Sequence, residues 1–273
     1  MLSSAKAKNV AANLLFFGTT GFLGWFIYKF VQSTPTSAPP TTPAGPAQAQ
    51  VMKRTYRIPM SYIAAIVPLA AALNLVGGYI ITTFRLPIFL DMMGTCVVAF
   101  TVGPWWGAIT GIITNIGESL IISPIYLPFG VTNVAGAIAW GYGARVGLGK
   151  NFPRLLGLGV WVAIQSSLIS VPIIVFVFGG ATGVPNDMIT AALLAAGGSL
   201  FGSAMISNLI ASLSDKIIST FIAVAIVAAL PAVMRSKVQL AQYTGFRAVA
   251  YAVIGIILGL IIMVGIVYGV LKV

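Results

Sequence analysis

The chain of 273 residues carries only four Asp or Glu side chains, and two of them lie inside one apolar stretch. Asp91 and Glu118 both fall between residues 86 and 122, where most other side chains are hydrophobic or small. A charged group in hydrocarbon is costly, so such residues usually face a polar cavity, a partner or a transport path. Asp91 and Glu118 are therefore candidates for a functional site. As alternatives, Asp91 could cap a helix, and Glu118 could reach the lipid headgroups.

Further polar side chains in apolar surroundings extend this candidate site. Asn115 lies three residues before Glu118 and shares a helix face with it. Asp215 and Lys216 are adjacent and of opposite charge, so they could also pair for purely structural reasons. The complete set of candidate substrate-binding residues is Asp91, Asn115, Glu118, Tyr126, Asn133, Asn208, Asp215 and Lys216.

The residue types present do not supply the usual parts of an enzyme or a metal site. There is no His, and Cys96 is the single cysteine, so a His- or Cys-based metal site and a disulfide framework are not expected. Residues 143–151 resemble a phosphate-binding loop only superficially, because Ala144 stands at the required first glycine and Asn151 replaces the magnesium-binding Ser or Thr. We predict no enzymatic activity, no catalytic residues, no metal and no cofactor.

The composition favours a membrane protein with several crossings. Charged residues make up 7% of the chain and hydrophobic residues 59%, whereas soluble domains carry about 25% charged residues. The net charge of +11 could indicate nucleic-acid binding, but the 15 Lys and Arg residues lie mainly at the ends of apolar runs, where they set membrane topology. We therefore predict an all-α, polytopic helix bundle in a lipid bilayer and no nucleic-acid partner.

The apolar runs predict the helices that position the candidate site. The expected crossings span residues 61–83, 91–103, 104–122, 130–147, 155–178, 207–233 and 247–270. A Gly-Pro-Trp-Trp-Gly turn at 103–107 connects the second and third of these, and glycines 197, 198 and 202 predict a break after a short outer element. If the crossings alternate, nine Lys and Arg residues lie on one side and four on the other. The richer side is then cytoplasmic, which places the candidate site at the outer level.

The two ends of the chain extend beyond this body. Residues 9–31 are apolar and long enough to cross a bilayer, and we expect this helix to be retained rather than cleaved as a signal peptide. Residues 33–50 are rich in Pro, Thr and Ala and predict a semi-extended linker. The predicted organisation is an N-terminal transmembrane helix (1–32), a linker and basic cytoplasmic segment (33–57), a body (58–235) and a C-terminal transmembrane helix (236–273).

Small residues recur at every fourth position in several predicted helices. Such stripes let helix backbones approach closely in lipid. In the last helix they could serve packing within the chain or contact with a partner. The stripes comprise Gly103, Gly107 and Gly111, then Ala135, Ala139, Gly143 and Gly147, then Gly255 with Gly259 and Gly265 with Gly269.

Three blocks in the same order resemble a known family. They are LPIFLDMMGTCVVAFTVGPWWGAITGIITN at 86–115, YLPFGVTN at 126–133 and DKIISTFIAVAIVAALP at 215–231. The most specific part is Asp-x-x-Gly-Thr at 91–95 followed by Gly-Pro-Trp-Trp-Gly-Ala at 103–108. Residues 58–235 are similar to the S component, the substrate-binding membrane subunit of energy-coupling factor (ECF) transporters.

This resemblance implies a six-helix body that binds a vitamin or related micronutrient on the outer side of a prokaryotic plasma membrane. It also implies three partners: a membrane coupling (T) subunit and two cytoplasmic ATPases. The docking face for the T subunit would lie on the first body helix, where Ser and Pro replace two of the family's alanines, at Ser61, Ala65, Pro68 and Ala72. The alternative is a stand-alone, proton-coupled secondary transporter that uses Asp91, Glu118 or Asp215.

Overall fold

The computed structural model describes residues 58–230 and 246–271, and the regular structure within them is entirely helical. The predicted all-α class is therefore confirmed for this part of the chain. The predicted crossing at 9–31, the linker and the basic residues near positions 54 and 237 lie outside the described residues. The chain divides into two compact units at Ile63, and the packing below lies within the second unit, Ala64–Val273.

Eight α-helices are described in these two ranges. They are α1 (Met60–Phe84), α2 (Met93–Thr101), α3 (Pro104–Ile121), α4 (Gly130–Arg145), α5 (Phe152–Pro172), α6 (Asp187–Ala195), α7 (Leu200–Ala229) and α8 (Phe246–Leu271). A 3-10 helix, Pro124–Phe129, joins α3 to α4, and a π-helical turn, Ile173–Val177, continues α5. Four of these helices are long and apolar enough to cross a membrane: α1, α5 with its π-helical turn, α7 and α8.

The second predicted crossing is shorter than expected. The helix α2 has nine residues, which at about 1.5 Å per residue is roughly half of a bilayer's apolar thickness. The chain before it is irregular, with positive φ angles at Arg85 and Leu90. Met92, and not Asp91, is the N-cap of α2, and it makes no side-chain capping bond. The alternative role of Asp91 as a helix cap is therefore wrong.

The break before α7 lies close to the predicted position, but the helix is longer than predicted. Gly197 adopts a φ of +91°, and the Ser199 side chain caps the new helix by accepting from the Gly202 N–H at 3.2 Å. The helix α7 therefore begins at Leu200 rather than at 207, and it includes the third glycine of the predicted break. The predicted short element before it is α6.

The predicted glycine stripes are places where helices approach closely. A Cβ at Gly107 would lie 2.9 Å from the Ala99 side chain on α2, and one at Gly143 would lie 2.5 Å from Leu158 on α5. Gly103 has a φ of +139° and directly precedes the start of α3. The predicted tight turn is therefore confirmed, and only glycine accommodates its backbone without strain.

The last helix packs on α7 through the first of its two glycine pairs. A Cβ at Gly255 would lie 2.3 Å from the Phe221 ring, and one at Gly259 would lie 2.5 Å from Ile218. Gly265 and Gly269 have no described neighbour within 4 Å. The first pair therefore serves packing within the chain, which is one of the two roles predicted for these stripes.

Buried polar side chains tie the other helices together. The Asn74 amide donates to the hydroxyls of Thr95 at 3.0 Å and Thr114 at 2.9 Å, and its oxygen accepts from the Gly94 N–H. One side chain thereby connects α1, α2 and α3. Gln165, on α5, donates to the carbonyl oxygen of Ala135 on α4 at 3.4 Å.

Candidate functional site

A polar cavity lies at one end of the bundle, where α4 begins, α5 ends and the first half of α7 passes. Its volume is about 60 Å³, whereas one water needs about 10–15 Å³, so the cavity can hold several waters or a small polar molecule. Its walls come from six segments of the chain. The polar and aromatic lining side chains are Phe89, Asp91, Tyr126, Phe129, Thr132, Asn133, Ser166, Ser170, Thr182, Asn186, Asp187, Thr190, Asn208, Ser212 and Lys216.

Three charged residues form a buried cluster beside this cavity. The Lys216 ammonium contacts the Asp215 carboxylate directly and lies 3.7 Å from Asp91 Oδ1. The Asp215 carboxylate also accepts from the Leu90 N–H at 2.9 Å and from the Ser219 hydroxyl at 3.2 Å. The Asp91 side chain is 17% exposed, whereas the other two are at most 3% exposed. Asp91 is therefore the member of this charged cluster that opens most to the cavity.

Hydrogen bonds from two amide side chains stabilise the adjacent wall of the cavity. Asn133 donates to the Asn115 side-chain oxygen at 3.0 Å and to the Asp91 carbonyl at 3.4 Å. Asn115 in turn donates to the Tyr126 carbonyl at 3.0 Å. Asn115 therefore positions two lining residues without lining the cavity itself. Burial raises the pKa of the Tyr126 phenol above its usual value, so this hydroxyl is a neutral hydrogen-bonding group at physiological pH.

Glu118 lies near the cavity but not in its lining. Its side chain is fully buried, and neither carboxylate oxygen has a hydrogen-bond partner among the described residues. The absence of a side chain at Gly78 makes room for it, because a Cβ there would lie 2.5 Å from Glu118 Oε1. A charged carboxylate in such a setting is strongly disfavoured relative to water.

The segment between α5 and α6, together with the start of α6, supplies a wall that the sequence did not predict. Thr182, Asn186, Asp187 and Thr190 all line the cavity. The Asp187 carboxylate accepts from the N–H groups of Thr182 and Gly183, each at 2.7 Å, and from the Thr182 hydroxyl at 3.1 Å. The signal that could have indicated this wall is the rarity of carboxylates in the chain, since Asp187 is one of only four.

Hydroxyl side chains on α4 and α5 form another part of the lining that was not predicted. The hydroxyls of Thr132 and Ser170 lie 3.0 Å apart and connect the two helices. Ser166 and Ser170 are four residues apart, so they share one face of α5. This spacing was visible in the sequence, but Ser is common in membrane helices, where it often serves packing.

The predicted site residues fall into three groups. Five of the eight line the cavity: Asp91, Tyr126, Asn133, Asn208 and Lys216. Asn115 and Asp215 lie behind the lining and bond to its members, and Glu118 does neither. Of the predicted docking residues, Ala65, Pro68 and Ala72 are exposed on α1, whereas Ser61 belongs to the first unit.

Several polar atoms of the lining residues have no hydrogen-bond partner within the described chain. They are Asp91 Oδ1, Asn133 Oδ1, Ser166 Oγ and Asn186 Oδ1. Buried polar atoms in folded proteins are almost always hydrogen-bonded, so a bound molecule or water would complete these groups. Within the described residues there is no cluster of three His, Cys, Asp or Glu side chains that could hold a metal. The arrangement suits the binding of a small polar molecule.

Comparisons with protein-family models, with curated proteins and with solved structures gave no match to this chain.

Proposed function

We propose that the protein is the substrate-binding membrane subunit of an ECF-type importer. In this role it captures a vitamin or related micronutrient and delivers it through a membrane coupling subunit driven by two partner ATPases. The observation that carries the proposal is the cavity at one end of the bundle, with its unpaired polar lining atoms. The three sequence blocks that resemble S components supply part of its walls, including Phe89, Asp91, Tyr126, Asn133 and Lys216.

The described helices support a six-segment body followed by one additional C-terminal helix. In this proposal the six segments of the body are α1, α2 together with the irregular chain before it, α3, α4, α5 and α7. The helix α6 is a short outer element, and α8 is an extra C-terminal helix. The cavity end is then the outer side of a prokaryotic plasma membrane. The six segments that converge on the cavity support this assignment, because a ligand site between the helices of a bundle is a common arrangement.

The exposed small residues of α1 support the proposed docking of a coupling subunit. Ala65, Pro68 and Ala72 are exposed, and Ala72 borders an apolar groove that also includes Leu69 and Val76. In lipid, a surface of small residues lets another helix approach closely. We propose this face as the contact for the T subunit.

Transport measurements in reconstituted vesicles test the proposal. The substrate would be the molecule that co-purifies with the protein, identified by mass spectrometry. Uptake should require the coupling subunit, both ATPases and ATP, and the chain alone should bind the molecule without accumulating it. Accumulation by the chain alone under a pH gradient would contradict the proposal.

That contrary result would favour the second candidate, a stand-alone proton-coupled transporter. One observation favours it: Glu118 is a fully buried carboxyl group without a hydrogen-bond partner, near the charged cluster. Carboxyl groups inside membrane proteins often carry protons in transport. In this alternative, Glu118→Gln would abolish accumulation while leaving substrate binding in place.

A further inference from the structure

We infer that the cavity takes a small organic cation that carries hydrogen-bond donors. The inference rests on the proposed function, because it assigns a chemical class to the solute of that same site. Three independent features support it: the charge of the walls, their aromatic side chains, and the type of the unpaired atoms.

The charged residues in and beside the cavity sum to a negative value. Asp91, Asp187 and Lys216 line it, and Asp215 contacts Lys216 from behind. Three carboxylates against one ammonium leave an excess of negative charge, in a chain whose overall net charge is +11. Since low-dielectric walls strengthen such a local field, the cavity attracts cations although the chain as a whole is basic.

Lys216 does not offer an anion site, because its charge is already neutralised. Its ammonium contacts Asp215, lies 3.7 Å from Asp91 and stands 5.7 Å from the centre of the Phe89 ring. An anionic ligand would have to compete with two carboxylates for this one group. Asp187 is also internally satisfied by its three hydrogen bonds. Asp91 Oδ1, in contrast, has no hydrogen-bond partner among the described residues and only the Lys216 ammonium, 3.7 Å away, as an ionic partner.

The lining also offers aromatic faces and acceptor atoms. Phe89 and Phe129 line the cavity with Tyr126, and aromatic rings attract cations most strongly when both are shielded from water. Of the four unpaired lining atoms, three are pure acceptors: Asp91 Oδ1, Asn133 Oδ1 and Asn186 Oδ1. Their ideal partner is a positively charged group with N–H or O–H donors.

Three probes of nearly equal size and shape test this inference: benzamidine, which is a cation, benzamide, which is neutral, and benzoate, which is an anion. Each is titrated into the full-length protein in a neutral maltoside detergent, and thermal unfolding is followed by tryptophan fluorescence. We expect benzamidine to raise the unfolding temperature and to bind at least tenfold more tightly than benzamide or benzoate.

Substitutions of lining residues test whether benzamidine binds in this cavity. Asp91→Asn should weaken benzamidine binding at least tenfold, Phe89→Leu should weaken it several-fold, and Asp91→Glu should restore part of it. Phe89→Leu keeps the charged cluster intact, so it tests the cavity even if Asp91→Asn folds poorly. Ser119→Ala is the control and should bind like the wild type, because Ser119 bonds within α3 and does not line the cavity.

Two outcomes would overturn the inference. Tighter binding of benzamide or benzoate than of benzamidine would show that the cavity prefers a neutral or anionic solute, and the proposed function would stand. The inference would also be refuted if no probe bound and a neutral or anionic molecule co-purified with the wild type. The proposed function as a solute-binding subunit would then still stand. Failure of the proposed function itself has a separate signature, which is accumulation of solute by the chain alone.

Discussion

Asp215 and Glu118 are both buried carboxyl residues in the same helix bundle, yet their surroundings differ completely. Asp215 contacts an ammonium group, a backbone N–H and a hydroxyl. Glu118 has no hydrogen-bond partner among the described residues. Asp215 is therefore an integral part of a charged cluster, whereas no hydrogen bond to a described residue fixes the Glu118 carboxyl group. This contrast leads to a matched pair of substitutions.

Removing the charge of Asp215 should destabilise the protein strongly. In Asp215→Asn the Lys216 ammonium keeps only Asp91, which lies 3.7 Å away. Breaking a buried ion pair by removing one partner costs about 3–5 kcal/mol. Chemical unfolding in detergent should show a loss of this size, and a variant as stable as the wild type would contradict the assigned role of the pair.

The same change at Glu118 should have little effect on stability. Glu118→Gln keeps the shape of the side chain and removes no hydrogen bond, because none is made. We expect the free energy of unfolding to stay within about 1 kcal/mol of the wild type or to rise, since an unpaired buried charge is unfavourable. The same unfolding assay serves both variants. A loss comparable to that of Asp215→Asn would reveal a partner for Glu118 that the fold does not show.

The sequence predicted which residues lie near the site better than it predicted which of them line the cavity and which way each side chain faces. Because successive helices run in alternating directions, Asp91, Asn133 and Asn208 come to the same level of the bundle. Their proximity could therefore be predicted by counting helices. Glu118 shares that level, but which way it faces depends on how α3 is rotated against α1. That rotation is set by close packing at positions such as Gly78, which no periodicity within α3 could indicate.

Among the elements, α7 and α8 show how glycine spacing is used. Two glycines of α8 lie directly against Phe221 and Ile218 of α7, while two others on the same helix have no described neighbour within 4 Å. The sequence spacing is the same in both pairs. Only the position of the partner helix distinguishes them, so the sequence alone left both roles open.

This difference provides an internal control for a packing test. Gly255→Leu places a side chain where the Phe221 ring lies only 2.3 Å from a Cβ, and overpacking of this kind costs about 1–3 kcal/mol. Gly265→Leu meets no described neighbour within 4 Å and should not lower stability, because Gly is the weaker helix former. Thermal unfolding of the two variants measures the contrast. Equal losses would argue against the α7–α8 contact.

Other elements departed from prediction for identifiable physical reasons. The chain before α2 turns through positive φ angles at Arg85 and Leu90, a conformation that few non-glycine residues adopt and that propensities do not anticipate. The stretch from Thr182 to Asn186 connects α5 to α6, and a count of crossings does not predict the path of a connection. Its hydrogen bonds to Asp187 were equally invisible in the sequence pattern.

For the molecule as a whole, the proposal requires a surface for the coupling subunit as well as a cavity for the solute. Ala72→Trp adds a large side chain to the exposed face of α1 beside the apolar groove. We expect this variant to bind solute normally but to lose co-purification with co-expressed coupling and ATPase subunits. Leu168→Trp, at an exposed position on α5, is the control. Normal assembly of the Ala72→Trp variant would place the docking surface elsewhere.

The central claim is that the cavity binds a small solute through its polar lining, and native mass spectrometry of the gently purified protein tests it most directly. We expect one small molecule per wild-type chain, and its loss in both Asp91→Ala and Asn133→Ala, because these side chains line the cavity and Asn133 bonds the Asp91 backbone. Ser119→Ala should keep the molecule. If both lining variants retained it as fully as the wild type, the binding site would lie elsewhere and the account would be wrong.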